Sequence, residues 1–254
     1  MQYEFISIRH AEEAHKTKFS LLRVCKTWYP LVKELLFEHL SASRESILLT
    51  VLTTLRQTPL SYRSRTRRLD IGRRFHSISD KATHMLMDIL PLAPNLEILR
   101  IEGYFDTLLE SDLRLSLARH SPNLKLLRYQ GECLIGLWYS PATHHYLALP
   151  QLQSFSGGWM SSRQNARMPV VVESANLTSL SLTFSYESEA NFFSQGLNLP
   201  ALRHFAVTGI YGGQDGFLQF LDIHGNQLTT LMLGFKPGIL LRSSSSVAIT
   251  RRKC

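Results

Sequence analysis

The chain has 254 residues, a formal net charge of +8 and an isoelectric point near 9.6. Hydrophobic residues make up 44% and charged residues 19%, which supplies a core and excludes the composition of a disordered chain. Three scattered cysteines (Cys25, Cys133 and Cys254) exclude a disulfide framework or a CxxC zinc site, and no run of 18 apolar residues is present to cross a membrane. Residues 1–18 carry early acidic side chains and no apolar stretch of the kind a secretory signal needs. A reducing compartment, cytoplasm or nucleus, is therefore expected.

Taken in chain order, Phe19–Leu40 has helical spacing, with Phe19, Leu22, Cys25 or Lys26, and Tyr29 recurring three or four apart. Pro30 cannot donate a backbone hydrogen bond inside a helix but suits a first turn. A second helix is thus expected over Leu31–Leu40, with Leu31, Val32, Leu35, Leu36 and Leu40 on its apolar face. A module this short makes a poor independent core, so it must pack on the rest of the chain or on a partner. Arg44–Leu60 reads as a connecting helix through Ile47, Leu48, Val51, Leu52 and Leu55. Tyr62–Phe75 then carries Arg63, Arg65, Arg67, Arg68, Arg73 and Arg74. That density suits phosphates or acidic segments, but it equally suits the solvated edge and turns of a first strand, which is the reading adopted.

From residue 66 a repeat takes over. Six segments share the pattern L-x-x-[LF]-x-[apolar or small], starting at Leu96, Leu124, Leu152, Leu177, Leu202 and Leu228, in steps of 28, 28, 25, 25 and 26. A seventh, beginning at Thr66 with Leu69 and Ile71 in the matching places, lies one step upstream of Leu96. Asn95, Asn123 and Asn176 precede three of the leucines, and Pro94, Pro122, Pro150 and Pro200 mark a turn into the strand. Between strands, Asp80–Leu90, Asp106–His120 and Asp215–Ile223 have helical spacing, the first with Thr83, Leu86, Met87 and Leu90 on one face. One strand and one helix per unit cannot bury their own apolar faces, so stacked units must share a core.

Residues 66 to 240 resemble leucine-rich repeats of the longer, less regular kind. The Asn or Cys usual at the ninth position of that family is replaced by Tyr104, Glu132, Met160, Ser185, Ile210 and Lys236. LLRVCKTWYPLVKELLFEHL, from Leu21 to Leu40, resembles the second half of an F-box, whose pattern L-x-x-V-C-[KR]-x-W is met here by Leu21, Val24, Cys25, Lys26 and Trp28. The continuation is similar to fungal F-box proteins in which this helix leads into a repeat array. Residues 1–18 lack the L-P-x-E-[IL] helix that opens an F-box, so the expected module is an incomplete one, degenerate or cut short at its start.

The expected fold is therefore α/β. It comprises a partial F-box-like helical module over 1–45, a connecting helix and linker over 46–65, a solenoid of about seven strand–helix units over 66–240, and a disordered basic tail over 241–254. The tail is expected to leave the last unit without a polar cap, frayed or incomplete. What the resemblance implies is a non-catalytic substrate receptor of an SCF-type ubiquitin ligase. The Skp-family adaptor, and through it the cullin ligase, would be held by Leu21, Val24, Cys25 and Trp28. A protein substrate of unknown identity would be held on the concave face by Asp70, Arg100, Glu102, Arg128, Gln130, Ser181, Thr183, Thr208 and Met232.

A leucine-rich scaffold that has lost adaptor binding is the alternative. Nucleic-acid binding through the arginines is a third reading, weaker because basic charge alone identifies no site. Neither an enzyme nor a cofactor is expected. The sequence contains no GxSxG or HExxH, and Gly157-Gly158 and Gly212-Gly213 lack the partners of a phosphate loop. His144 and His145 are adjacent and have no acidic or thiol neighbour at ligand spacing.

Overall fold

Regularly spaced strands that cannot satisfy their own backbone groups must pair with their counterparts one unit away. A computed structural model describes Thr17, Ser20 and residues 26–72, 77–102, 104–105, 110–129, 149–159, 172–184, 197–210, 214–235 and 246–250. In chain order they form helix α1 (Trp28–Glu38), strand β1 (His39–Ala42), helices α2 (Glu45–Gln57) and α3 (Leu60–Arg63), and strands β2 (Arg68–Ile71) and β3 (Ser77–Ile78). Helix α4 (Asp80–Ile89) follows, then β4 (Ile98–Ile101), β5 (Tyr104–Phe105), α5 (Glu110–His120) and β6 (Leu126–Tyr129). The remainder comprises β7 (Ser154–Trp159), β8 (Val172–Glu173), β9 (Ser179–Phe184), β10 (Leu197–Asn198), β11 (His204–Ile210), α6 (Gln214–His224), β12 (Thr230–Phe235) and β13 (Ser246–Thr250).

The main sheet is open, in the order β1-β2-β4-β6-β7-β9-β11-β12-β13. Its first eight strands are parallel, and β13 joins antiparallel to β12. The fold is thus α/β with a single parallel sheet, an arrangement compatible with a solenoid. Partners along the sheet are His39, Arg68, Ile98, Leu126, Ser154, Ser179, His204 and Thr230. From Arg68 onward these pairs are spaced as the sequence repeat is.

Alternation puts Leu69, Leu99, Leu127, Phe155, Leu180 and Phe205 in one row on the inner face, every one buried. Ile71, Ile101, Tyr129, Leu182 and Val207 line the next inner row, also buried. Each such side chain contributes about 1.5–3 kcal/mol on leaving water, which is why the register cannot slip by one residue. Helices cover this face: α2 packs on β1 and α4, and α4 on α5. Helix α2 buries Leu48, Leu52 and Leu55, with Ile47 and Val51 partly covered, as its spacing predicts. The buried face of α4 is broader than expected: Ala82, Thr83, Met85, Leu86 and Ile89 are inside, and Met87 only partly. The cause is that α4 packs against a helix on each side as well as against the sheet.

The turn into each strand is built alike. The amides of Leu96, Leu124, Leu152, Leu202 and Leu228 each donate to the carbonyl three residues earlier, at 3.0–3.3 Å. Pro94, Pro122, Pro150 and Pro200 occupy the second turn position, where the φ that the proline ring fixes is the one a type I turn needs. Asn95 Nδ2 donates to the Ser64 carbonyl at 2.8 Å, Asn176 Nδ2 to Pro150 at 2.6 Å and Gln227 Nε2 to Leu199 at 2.8 Å. An amide side chain one residue before the first leucine therefore ties each of these turns to the turn one unit upstream.

Three expectations differ from what is found. Helix α1 starts at Trp28, takes Pro30 into its first turn, where amides have no intrahelical partner, and stops at Glu38. The expected helical residues His39 and Leu40 instead begin β1, because pairing with Arg68 and Leu69 satisfies a backbone that a last helical turn would leave open. The parallel strands therefore number eight where seven were expected, the extra one lying one repeat step upstream of β2. Within the segment expected to be a disordered tail, Ser246–Thr250 pair along β12 from Thr230 to Gly234. Among the described residues no helix is long and apolar enough to cross a membrane.

Candidate functional site

Residues that alternate with the buried rows form the other face of the sheet, and no described helix is laid over it. Ser41, Asp70, Arg100 and Arg128 stand side by side on β1, β2, β4 and β6, and the row continues through Ser156, Ser181, Ala206 and Met232. Thr183 and Thr208 form part of the next row, and Glu102 lies on the same face just beyond Arg100. The strands thus bring eight of the nine expected substrate-face residues onto one surface, and Gln130 lies outside the described residues. Of the expected adaptor contacts, Leu21, Val24 and Cys25 lie outside the described residues and Trp28 opens α1.

Charge is concentrated at the β1–β6 end. Asp70 Oδ2 lies 2.9 Å from His39 Nε2, and the Arg68 fork donates to both Asp70 oxygens at 2.7–3.0 Å. Burial by itself raises the Asp70 pKa, but the hydrogen bonds from His39 and Arg68 outweigh it and hold the carboxyl below its ordinary value. Partial burial, with Arg68 and Arg128 alongside, depresses the Arg100 pKa, although a guanidinium keeps its proton throughout the ordinary pH range. Arg68, Arg100 and Arg128 are each half-buried on the sheet, and the Nε of Arg100 is fully buried.

The β9–β12 end is uncharged and hydroxyl-rich. Thr183 Oγ1 and Thr208 Oγ1 are 3.0 Å apart, His204 Nδ1 lies 3.2 Å from Thr230 Oγ1, and Met232 is exposed. Across the strand starts runs a separate ion network. Glu97 accepts from Arg67 and from Lys125, the latter at 2.9 Å, and Lys125 lowers the Glu97 pKa most.

The described arginines of the arginine-rich stretch do not converge into one patch. Arg65 pairs with Glu34 at 3.1 Å on α1, Arg67 with Glu97 and Arg68 with Asp70, while Arg63 is in α3 and Arg73 and Arg74 lie outside the described residues. The cationic cluster on the open face comes instead from three different strands. His39 and Ser156 also belong to this face, and sequence reasoning missed both. Extending the repeat one step upstream would have placed His39 beside Arg68, and Ser156 holds in its repeat the place that Arg128 and Ser181 hold in theirs.

His144 and His145 lie outside the described residues. Among the described residues no three His, Cys, Asp or Glu side chains are placed to hold a metal ion. No protein-family model, curated protein or solved structure matches the chain.

Proposed function

We propose that the chain is a non-catalytic substrate receptor of an SCF-type ubiquitin ligase. Leu21, Val24, Cys25 and Trp28 would dock a Skp-family adaptor, and the open sheet face would hold a protein substrate. The observation that carries the binding role is the open face itself, over which no described helix is laid. Eight parallel strands bury apolar rows on one side and present charged, hydroxyl and thioether side chains on the other. A surface of mixed side chains on a rigid scaffold suits recognition of another polypeptide. The adaptor role rests on the F-box-like run that leads directly into α1 and from there into the first sheet strand.

The test is co-expression with a Skp-family adaptor followed by size-exclusion chromatography. Co-migration is expected, with Leu21→Asp and Val24→Asp each releasing the adaptor at unchanged thermal midpoint. A folded chain that never co-migrates overturns the receptor role and leaves a leucine-rich interaction scaffold.

A further inference from the structure

The two inner rows of the sheet are buried as far as Phe205 and Val207 on β11 and only partly buried at Leu231 and Leu233 on β12. A stacked array whose last apolar positions stay open needs something to close that end. Strand β13 is the outermost strand there, five residues long and paired with β12. The register sets Ile249 beside Leu231 and Val247 beside Leu233, with Ala248 between them beside Met232. Alternate residues of a strand turn their N–H and C=O groups to opposite edges, so half of the β13 backbone groups lie on the side away from β12. Among the described residues no strand pairs with that side.

The sequence of β13 is complementary to itself. Turned about a two-fold axis through Ala248 and perpendicular to the sheet, SVAIT sets Ser246 opposite Thr250, Val247 opposite Ile249 and Ala248 opposite its own copy. That register matches apolar with apolar and hydroxyl with hydroxyl, and it keeps the inner faces of both copies on one side. Apolar positions then run without a break from Leu231 through Ile249 to Val247 and Leu233 of a second copy. Counted onward in the sequence alone, the basic run Arg251–Lys253 falls opposite Ser243–Ser245 and not opposite itself, so like charges do not meet.

We propose that a second copy of this chain closes the end of the array: two molecules join through β13, antiparallel about Ala248, in one continuous sheet. A self-complementary contact of this kind gives a closed dimer and not a filament. Five residues a side is a small contact beside the roughly 1,600 Å² of a stable interface, so the dimer is expected to be weak, with a Kd on the order of 1–100 µM. A strand of another protein would satisfy the same backbone groups but has no reason to match residue for residue about Ala248.

Sedimentation velocity of the full chain in reductant, over about 1 to 200 µM, reads the association. A monomer–dimer equilibrium is expected, with no larger species. Ala248→Lys sets two like charges opposite each other across the axis, while its neighbour on β12, Met232, is exposed, so the monomer accommodates it. It should weaken the dimer at least about fivefold, and Ala248→Glu should do the same. Mixed one to one, the two variants should form a dimer as tight as wild type or tighter, which chains that had merely lost β13 could not do. A chain that stays monomeric throughout, species that grow past the dimer, a dimer indifferent to both variants, or a mixture that stays monomeric would each overturn the proposal. The proposed adaptor contacts lie between Leu21 and Trp28, outside this strand, so adaptor co-migration succeeds or fails independently of the result.

Discussion

Gly72→Ala tests the geometry of the open face at a point no hydropathy pattern marks. Gly72 follows β2, is buried, has φ of +143° and donates its amide to the Ala42 carbonyl at 3.1 Å. A Cβ there would sit 2.4 Å from Glu102 Cβ, 2.5 Å from the Glu102 carbonyl oxygen and 2.8 Å from its Cα. Two of those atoms are backbone, so no side-chain rotation removes the overlap. Holding a non-glycine residue at such a φ costs about 1–3 kcal/mol, and forcing a methyl into filled space costs about 1–3 kcal/mol more. The expected loss is therefore about 2–6 kcal/mol.

With a urea m-value of about 3 kcal/mol/M, the unfolding midpoint should fall by roughly 0.7–2 M. Circular dichroism in urea measures it. The same methyl at Gly225 would meet only Leu221 Cβ at 3.9 Å, and at Gly234 it would press on Thr208 Cγ2 at 3.0 Å. Gly225→Ala should thus lie within about 0.5 kcal/mol of wild type, with Gly234→Ala between the two. A Gly72→Ala midpoint equal to that of Gly225→Ala would refute the close β2–β4 approach on which the face is built.

Asp70→Asn should cost about 2 kcal/mol at pH 7, because it weakens hydrogen bonds to a charged fork and leaves Arg68 without its counter-ion. The Asp70 pKa is lower folded than unfolded. Its contribution is therefore complete above the unfolded value of about 4 and is lost as pH falls through the folded value. Urea titrations at pH 7, 4 and 3 should show the wild-type advantage over the variant shrinking with acid, and an advantage constant across that range would count against the arrangement. Thr66→Val should stabilise the chain by about 1 kcal/mol. Thr66 stands where later units have leucine, is fully buried, and its hydroxyl has no hydrogen-bond partner among the described residues. Thermal melting checks this, and a lower midpoint for the valine variant would contradict it.

The repeat was legible because each buried row demands the same residue class at the same step: Leu69, Leu99, Leu127 and Phe155 are one physical position met four times. The proline turns were legible for the same reason. Strand β1 was not, since HLSA offers only Leu40 and Ala42 to the inner face and follows a run of helical spacing without a break. Pairing with β2, a contact a full repeat step away along the chain, decides its conformation. Strand β13 was hidden likewise, because a serine run carries no periodic signal and its order comes from the edge of β12. Gly72 gave no signal at all, as its role depends on where the Glu102 backbone passes.

The open face was legible as a list and illegible as a site. Alternation assigns Arg100 and Arg128 to the outer face from the sequence alone, yet only the register makes them opposite neighbours and seats Arg68 on Asp70 instead of in a basic patch. The same register has an energetic consequence. Arg100 and Arg128 are half-buried on the sheet and their charges repel, so truncation to alanine removes packing and charge together. An alanine scan of this face would therefore score the arginines as structural whatever they bind. Arg128→Gln keeps most of the stem and removes only the charge, and it should leave the unfolding free energy within about 0.5 kcal/mol of wild type in urea. If that variant unfolds as easily as Arg128→Ala, the guanidinium is holding the sheet together and is not available to hold a partner.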